Sequence, residues 1–326
     1  MKLDFLQIGF QKCGSTFLEY NVYPTNPNIF CLQAGNNQQL ERLLLNDFIL
    51  PDGLEYDENA FKKSFSEITD KIFLDKKING IMFEAFTFLY QRRFDRKNVI
   101  DRISSIFRDI KIITFIRNQQ SWLLSHYSQY LKGGGLLSLH DFVECQLNIP
   151  ILDAHYIDWF SFISYLYEKI GRENVLVCLY EELNKSTQET ADRIFSFLGV
   201  PSSKINPKKV NPSLSYYGLT MRRFLNHLCH FDCGASSYNY TRDLYGAIPS
   251  SYSKLKHKFI YSIYKPATNA ICYKLDKMFN IKKKIRLEEA QVEKISARYG
   301  KNNEKLSDLL GVNLEEYNYP LDTNKK

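Results

Sequence analysis

The sequence predicts an α/β fold in which a parallel β-sheet is flanked by helices and the C-terminal third carries a helical insertion or cap. Three observations predict it. Short apolar, β-rich runs recur at Phe5 to Phe10, Gly80 to Phe83, Ile112 to Ile116 and Val175 to Leu179, and apolar runs without polar alternation mark strands buried on both faces. Helical spacing fills the intervals between them, as the crossovers of a parallel sheet require. The first run feeds directly into Gly9-Phe10-Gln11-Lys12-Cys13-Gly14-Ser15-Thr16, a strand, small-residue loop and helix start of the kind that cradles an anion.

The remaining elements follow in order. Helices are expected over Val99 to Phe107, Ser121 to Leu131, Ile157 to Ile170 and Ser186 to Leu198, the last stopped by Gly199 before Pro201, a C-terminal glycine followed by proline. From Ser215 to Leu287 the strands give out and the composition turns rich in Tyr, Lys and Asn; Leu287 to Leu310 regains helical periodicity. Residues 1–326 therefore read as a single domain, with 215–287 as a helical insertion or cap within it. No internal repeat is apparent.

At 326 residues and 44% hydrophobic content the chain has ample material for a core. Its net charge of +7 is uneven. Lys254, Lys256, Lys258, Lys265, Lys274, Lys277, Lys282, Lys283, Lys284 and Arg286 are offset in that window only by Asp276. Such a stretch suits peripheral contact with an anionic membrane, the gathering of an anionic substrate, or a solvated helix face. Seven scattered cysteines, Cys13, Cys31, Cys145, Cys178, Cys229, Cys233 and Cys272, form no disulfide framework and fit a reducing, cytoplasmic setting. Strand-like sequence begins at Asp4 and no apolar run is long enough to span a bilayer, so neither leader nor membrane helix is expected. The sequons at Asn184 and Asn239 are too short a signal to argue secretion. No nucleic-acid partner is expected.

The loop differs from a kinase loop in a way that matters chemically. Gly9 and Gly14 have the separation of a Walker A motif, but Ser15 stands where its lysine belongs, and the loop's lysine is Lys12. The strand Lys111 to Ile116 ends in Arg117-Asn118, where a magnesium-binding acid would stand. A cation in that place points to a donor whose charge is met by protein groups, with no metal required. Lys12 is then placed to stabilise the oxygen that takes up charge as the group leaves. Gln11, Cys13, Gly14, Ser15, Thr16 and Phe17 complete the P-loop-like cradle with backbone N–H groups and hydroxyls. Beyond the second strand end, Arg117 and Ser125 are spaced to share one phosphate between a guanidinium fork and a hydroxyl.

These two motifs together resemble the PAPS-dependent sulfotransferases. Lys-Cys-Gly-Ser-Thr is similar to their 5′-phosphosulfate loop, and Arg117 with Ser125 to their 3′-phosphate motif. Glu173 to Val177, Tyr180 to Leu183 and Phe197 to Pro201 resemble the family's central strand and following helix. Asn303, Leu306, Leu309 to Gly311, Leu314, Tyr317, Tyr319 and Pro320 resemble its C-terminal signature. The likeness runs nearly end to end, with departures. Gln119-Gln120 replaces the usual proline-containing pair, and no Lys-Gly-Arg triplet follows Pro201. Asn211, Ser213, Arg222 and Arg223 look instead like the equivalent region of bacterial carbohydrate-type members, which implies that Arg222 or Arg223 assists the 3′-phosphate. The resemblance implies 3′-phosphoadenosine 5′-phosphosulfate as donor co-substrate and a hydroxyl or amine acceptor, carried on a glycan or glycolipid.

Sulfuryl transfer also needs a group to take the acceptor proton. Glu84 stands at the end of the apolar run Ile81-Met82-Phe83, where poor solvation raises a carboxyl pKa towards that of a working base; the Phe-Glu strand end also resembles that of glycan sulfotransferases. A capping or ion-paired carboxylate is the alternative. Among six histidines, His126 adjoins Ser125, His140 falls at a helix start, and His155, after Asp153, is the best rival base. His227, Cys229, His230 and Cys233 lack the paired spacing of structural zinc sites. Gly133 to Gly135, Leu147 to Tyr156 and the aromatic-rich Tyr216 to Tyr245 are the segments expected to meet the acceptor. A nucleotide kinase with a degenerate loop and a non-catalytic nucleotide-binding or membrane-associated adaptor are the rival readings.

Overall fold

The computed structural model describes residues 2–87, 95–148, 157–207, 214–228, 265–278 and 283–322. Strand β1 (Phe5–Gly9) leads into α1 (Ser15–Phe17), which continues as the π-helical Leu18–Val22. There follow β2 (Ile29–Gln33), α2 (Gln38–Leu43), α3 (Glu58–Thr69), β3 (Ile78–Met82), α4 (Arg96–Ile106), β4 (Lys111–Ile116) and α5 (Gln119–Lys132). The chain continues through α6 (Leu139–Asn148), α7 (Trp159–Ile170), β5 (Val175–Leu179), α8 (Tyr180–Lys185) and α9 (Thr187–Leu198). Helices α10 (Tyr216–Leu228), α11 (Lys265–Met278) and α12 (Glu289–Leu310) come last.

All strand pairings are parallel, in the order β2-β3-β1-β4-β5. The first strand is thus the middle one, with β3 and β2 on one side and β4 and β5 on the other. In open parallel sheets the crevice at such a switch, outside the carboxyl ends of the strands, is where ligands sit. The α/β expectation holds.

Of the five strands among the described residues, four are those expected from apolar runs. The fifth, β2, is an edge strand whose residues after Ile29 are only half-buried, so it carries too weak an apolar signal to stand out. Boundaries move where caps act. Asp95, Asn118 and Asp158 accept from the N–H groups of Lys97, Ser121 and Ser161, which starts α4 and α5 earlier than their apolar spacing and α7 later. Phe10 has left β1 and packs edge-on against Trp159 at 4.6 Å and Phe162 at 5.3 Å between centroids.

Within residues 215–287, α10 and α11 pack on each other. Ser215 donates from its N–H and hydroxyl to Asp276, and Arg222 reaches Thr268 and Asn269, so the two helices run antiparallel. Their inner face closes on the C-terminal end of α5. Among the described residues no helix is long and apolar enough to cross a membrane. The described cysteines are free thiols; Cys229 and Cys233 lie outside the described residues.

Glycine is required where β1 and β3 meet. Phe5, fully buried, is paired with Gly80, and a Cβ on Gly80 would lie 2.1 Å from the Phe5 ring. Gly80→Ala is therefore expected to destabilise the fold by about 1–3 kcal/mol through overpacking. Gly53→Ala, at a position with no atom within 4 Å of the added Cβ, is expected to change it by less than about 0.5 kcal/mol. Urea unfolding of the two variants checks the contrast.

Candidate active site

Three strand ends meet at the carboxyl edge: β1 delivers the Lys12 loop, β3 delivers Glu84, and β4 delivers Arg117. The loop is fixed from below. Trp122 donates its indole N–H to the Gln11 carbonyl at 2.8 Å, and Arg117 donates from Nη1 to the Lys12 carbonyl at 2.8 Å. Thr87, buried beyond Glu84, donates its hydroxyl to the Gly9 carbonyl at 2.7 Å. Every peptide bond here is trans, so the N–H opposite each tethered carbonyl, those of Lys12 and Cys13, turns to the other side of the loop.

The backbone pays no attention to ordinary preferences at this point. Lys12 has φ 67°, a left-handed conformation uncommon outside glycine. Gly14, at φ 103°, caps α1, and an added Cβ would lie 3.1 Å from Leu183 and 3.3 Å from Tyr180. Only glycine meets both conditions. The Gly14 carbonyl then accepts from the N–H groups of Phe17 and Leu18, leaving those of Ser15 and Thr16 in the first turn, where no intrahelical acceptor exists. Cys13 is buried, and burial pushes its thiol far up from the ordinary value, so it serves as packing beneath the loop.

Two ionisable groups face each other across this loop. Glu84 opens a short helical turn after β3, and its carboxylate accepts the Ser15 hydroxyl. Burial raises its pKa, while the Ser15 hydrogen bond and the nearby Lys12 charge pull the other way. Lys12 is held below its ordinary pKa, first by burial, then by Lys132 and Arg117; Glu84 partly offsets this. Lys132, at the end of α5, is also depressed by burial and by Arg222, and its ammonium donates to the Tyr273 hydroxyl at 2.9 Å. Among the described residues no carboxylate lies within ion-pair distance of Lys12 or Lys132. Half-buried cations without a contact anion favour an anionic ligand.

Arg117 sits half-buried on the far side. Its Nε donates to the Ser121 hydroxyl at 2.9 Å, and its guanidinium lies 4.2 Å from the Tyr180 ring centroid. Ser125 is half-buried one turn further along α5, on the same helix face as Ser121. Ser121 and Tyr180 are contacts of Arg117 that sequence reading had not assigned to it. The i, i+4 spacing of Ser121 and Ser125 was the available signal.

The structure brings Gln11, Lys12, Cys13, Gly14, Ser15, Thr16, Phe17, Glu84, Arg117 and Ser125 to one edge. It does not bring Arg222 and Arg223 there. Arg222 is fully buried and donates to the Leu131 and Lys132 carbonyls, Thr268 and Asn269; Arg223 donates to the Leu136 carbonyl. Both sit at the C-terminal end of α5, about 20 Å along the helix from Arg117, where a cation answers the helix dipole. In this structure their donors are turned to those acceptors. His155 lies outside the described residues, as do Asn211 and Ser213. His126 is buried and stacked on Trp122 at 4.5 Å, and exposed His140 pairs with Glu288.

Gln119, one of the departures noted in the sequence, has a structural reason. Fully buried, it exchanges amide hydrogen bonds with Asn303 of α12 at 2.9 and 3.1 Å, and Asn303 also donates to the Pro320 carbonyl. The C-terminal segment further braces α5 through Asn118, which donates to the Asn318 and Tyr317 carbonyls, and through Glu181, which accepts the Asn118 N–H at 3.0 Å and the Tyr319 hydroxyl.

No curated protein resembles the chain closely enough to count as a relative. A sulfotransferase from Alicyclobacillus acidocaldarius superposes with a TM-score of 0.56 at 14% identity, over 98% of this chain and 99% of its own. A mouse sulfotransferase complexed with PAP aligns at a TM-score of 0.38 and 17% identity, over 63% of this chain and 61% of its own. Retinol dehydratase in complex with androsterone and PAP aligns at 0.31 and 13%, over 87% and 82%. The first of these three carries the likeness of fold. The model of the sulfotransferase domain matches residues 2–217, the span that holds the five described strands and the Lys12, Glu84 and Arg117 edge, and the chain belongs to the sulfotransferase family.

Proposed function

We propose that this sulfotransferase uses 3′-phosphoadenosine 5′-phosphosulfate as donor and a hydroxyl or amine of a glycan or glycolipid as acceptor. The observation that carries the reading is the placement of Lys12 and Glu84 on one loop edge, with Arg117 at the end of β4 and Ser125 on α5 beside it. In this reading the N–H groups around Lys12 to Thr16 hold the 5′-phosphosulfate and Arg117 with Ser125 holds the 3′-phosphate. Glu84 takes the acceptor proton as the acceptor oxygen or nitrogen attacks sulfur in line. The bond from sulfur to the bridging oxygen breaks, and the Lys12 ammonium meets the charge that develops on that leaving oxygen. The strand end that would hold magnesium in a kinase is Arg117-Asn118, and Asn118 is committed to capping α5 and to the C-terminal segment, which supports transfer without a metal. Peripheral contact with an anionic membrane is part of the same reading; of its basic stretch, Lys254, Lys256, Lys258 and Lys282 lie outside the described residues.

Calorimetric titration with 3′,5′-adenosine bisphosphate, with and without magnesium and beside ATP, tests the donor. Tight binding of the bisphosphate independent of magnesium is expected; preference for magnesium-ATP would establish the kinase reading instead. Arg117→Ala is expected to weaken the bisphosphate about 10–100-fold, the loss of a charge-assisted contact, and to leave 5′-AMP affinity within a few-fold. Equal losses for both nucleotides would remove the 3′-phosphate role.

Lys12→Ala is expected to lower kcat about 100–1000-fold with little change in bisphosphate affinity, read by turnover and calorimetry together. The pH profile has a definite sign. Glu84 must be unprotonated and Lys12 protonated, and kcat/KM reports the free enzyme's groups. Its acid limb is therefore expected above the ordinary carboxylate value of 4.5 and its alkaline limb below the ordinary lysine value of 10.5. Glu84→Gln is expected to lower the rate and abolish the acid limb; an acid limb that persists in that variant would transfer the base role elsewhere.

A further inference from the structure

Helix α10 buries Leu219 beside two polar side chains and leaves a longer apolar stripe exposed. The face of α10 turned into the protein carries Arg222 and Asn226, both buried, with Arg222 on the Leu131 and Lys132 carbonyls and Asn226 on those of Leu131 and Gly135. Its outward face carries Tyr217, Met221, Phe224 and Leu228, spaced at i, i+4, i+7 and i+11, one helix stripe. Alongside, α11 turns Ile271 and Met278 outward. Exposure along this surface runs from 37% at Met221 to 67% at Met278. A soluble helix normally buries such a stripe, and an exposed contiguous one marks a surface that meets something apolar.

Exposed lysines accompany α11 and the segment after it. Lys274 and Lys277 on α11, and Lys283 and Lys284 after it, are exposed. Lys283 lies 5.0 Å from the Tyr216 ring centroid and its carbonyl accepts the Tyr216 N–H, which fixes the basic segment against the start of α10. Asp276, the acid of α11, is turned inward to Ser215. An apolar stripe with aromatic residues, accompanied by lysines and helical throughout, is the composition that lies in the interface of an anionic bilayer.

We propose that the outer face of α10 and α11 docks on an anionic lipid surface. The inner face of the same pair grips the end of α5, where Tyr273 accepts from Lys132 and the Lys132 charge acts on Lys12. Docking therefore sets the mouth of the site at the headgroup level. The consequence for chemistry rests on the sulfuryl-transfer reading above: the acceptor is an amphiphile carried in that same surface.

The test is co-sedimentation of the full chain with phosphatidylcholine vesicles, with and without phosphatidylglycerol, beside bisphosphate calorimetry. The expected result is sedimentation with the anionic vesicles only, weakened by salt. A Met221→Gln, Phe224→Gln double variant is expected to lose at least tenfold in vesicle affinity, and a Lys277→Glu, Lys283→Glu variant likewise, with bisphosphate binding unchanged in both. Absence of binding to anionic vesicles would overturn the proposal, as would full binding by the first variant. Conversion of a dimer to a monomer by Met221→Gln and Phe224→Gln, without vesicle binding by the parent chain, would assign the face to a second copy instead. Unchanged bisphosphate binding separates these outcomes from failure of the donor reading, which would appear as loss of nucleotide binding with vesicle binding intact.

Discussion

The site depends on how two carbonyls are held. Gln11 and Lys12 are tethered through their oxygens to Trp122 and Arg117, and a trans peptide sends the next N–H the other way. The N–H groups of Lys12 and Cys13 are thus turned by fixing their partner carbonyls, and the left-handed Lys12 and glycine at position 14 supply the curvature. Because both tethers come from α5 or the strand end before it, the position of α5 governs the cradle. That position is over-determined: the Asn118 cap, the Gln119–Asn303 amide exchange, the Trp159 indole on the Arg117 carbonyl and the C-terminal segment all bear on its first turn.

Electrostatically the site is strained in the direction of binding. Lys12 and Lys132 are depressed by burial and by other cations, and Glu84 and Glu181 are raised by burial. Each group is less content with its charge than it would be in water. In the proposed reading an anionic donor would relieve the cations, and a carboxyl of raised pKa would take the acceptor proton. A site arranged for a charged ligand is accordingly less favourable for the empty protein, a common trade between function and stability.

The α10 and α11 pair joins this site to the outer surface. Arg222 on the last carbonyls of α5 does there what a basic residue does at any helix C-terminus, and in doing so holds the pair against Lys132. The inner face of α10 combines the donors Arg222 and Asn226 with buried Leu219, while Tyr217, Met221, Phe224 and Leu228 are left outward.

The parallel sheet, the loop and the two strand ends were legible in the sequence because each is local. Apolar runs mark buried strands, a glycine and hydroxyl cluster marks a tight loop, and Glu84 and Arg117 stand at strand ends. The edge strand β2 was not legible, since one neighbour and half-burial leave a weak pattern. Nor was the role of Gln119, whose partner Asn303 is distant in sequence, or the removal of Arg222 and Arg223 from the Arg117 neighbourhood. Sequence alone determined which chemical groups the chain brings and on which element each stands. Only the tertiary structure decided which of them meet, because a side chain's partner is chosen by packing between elements that no local pattern encodes.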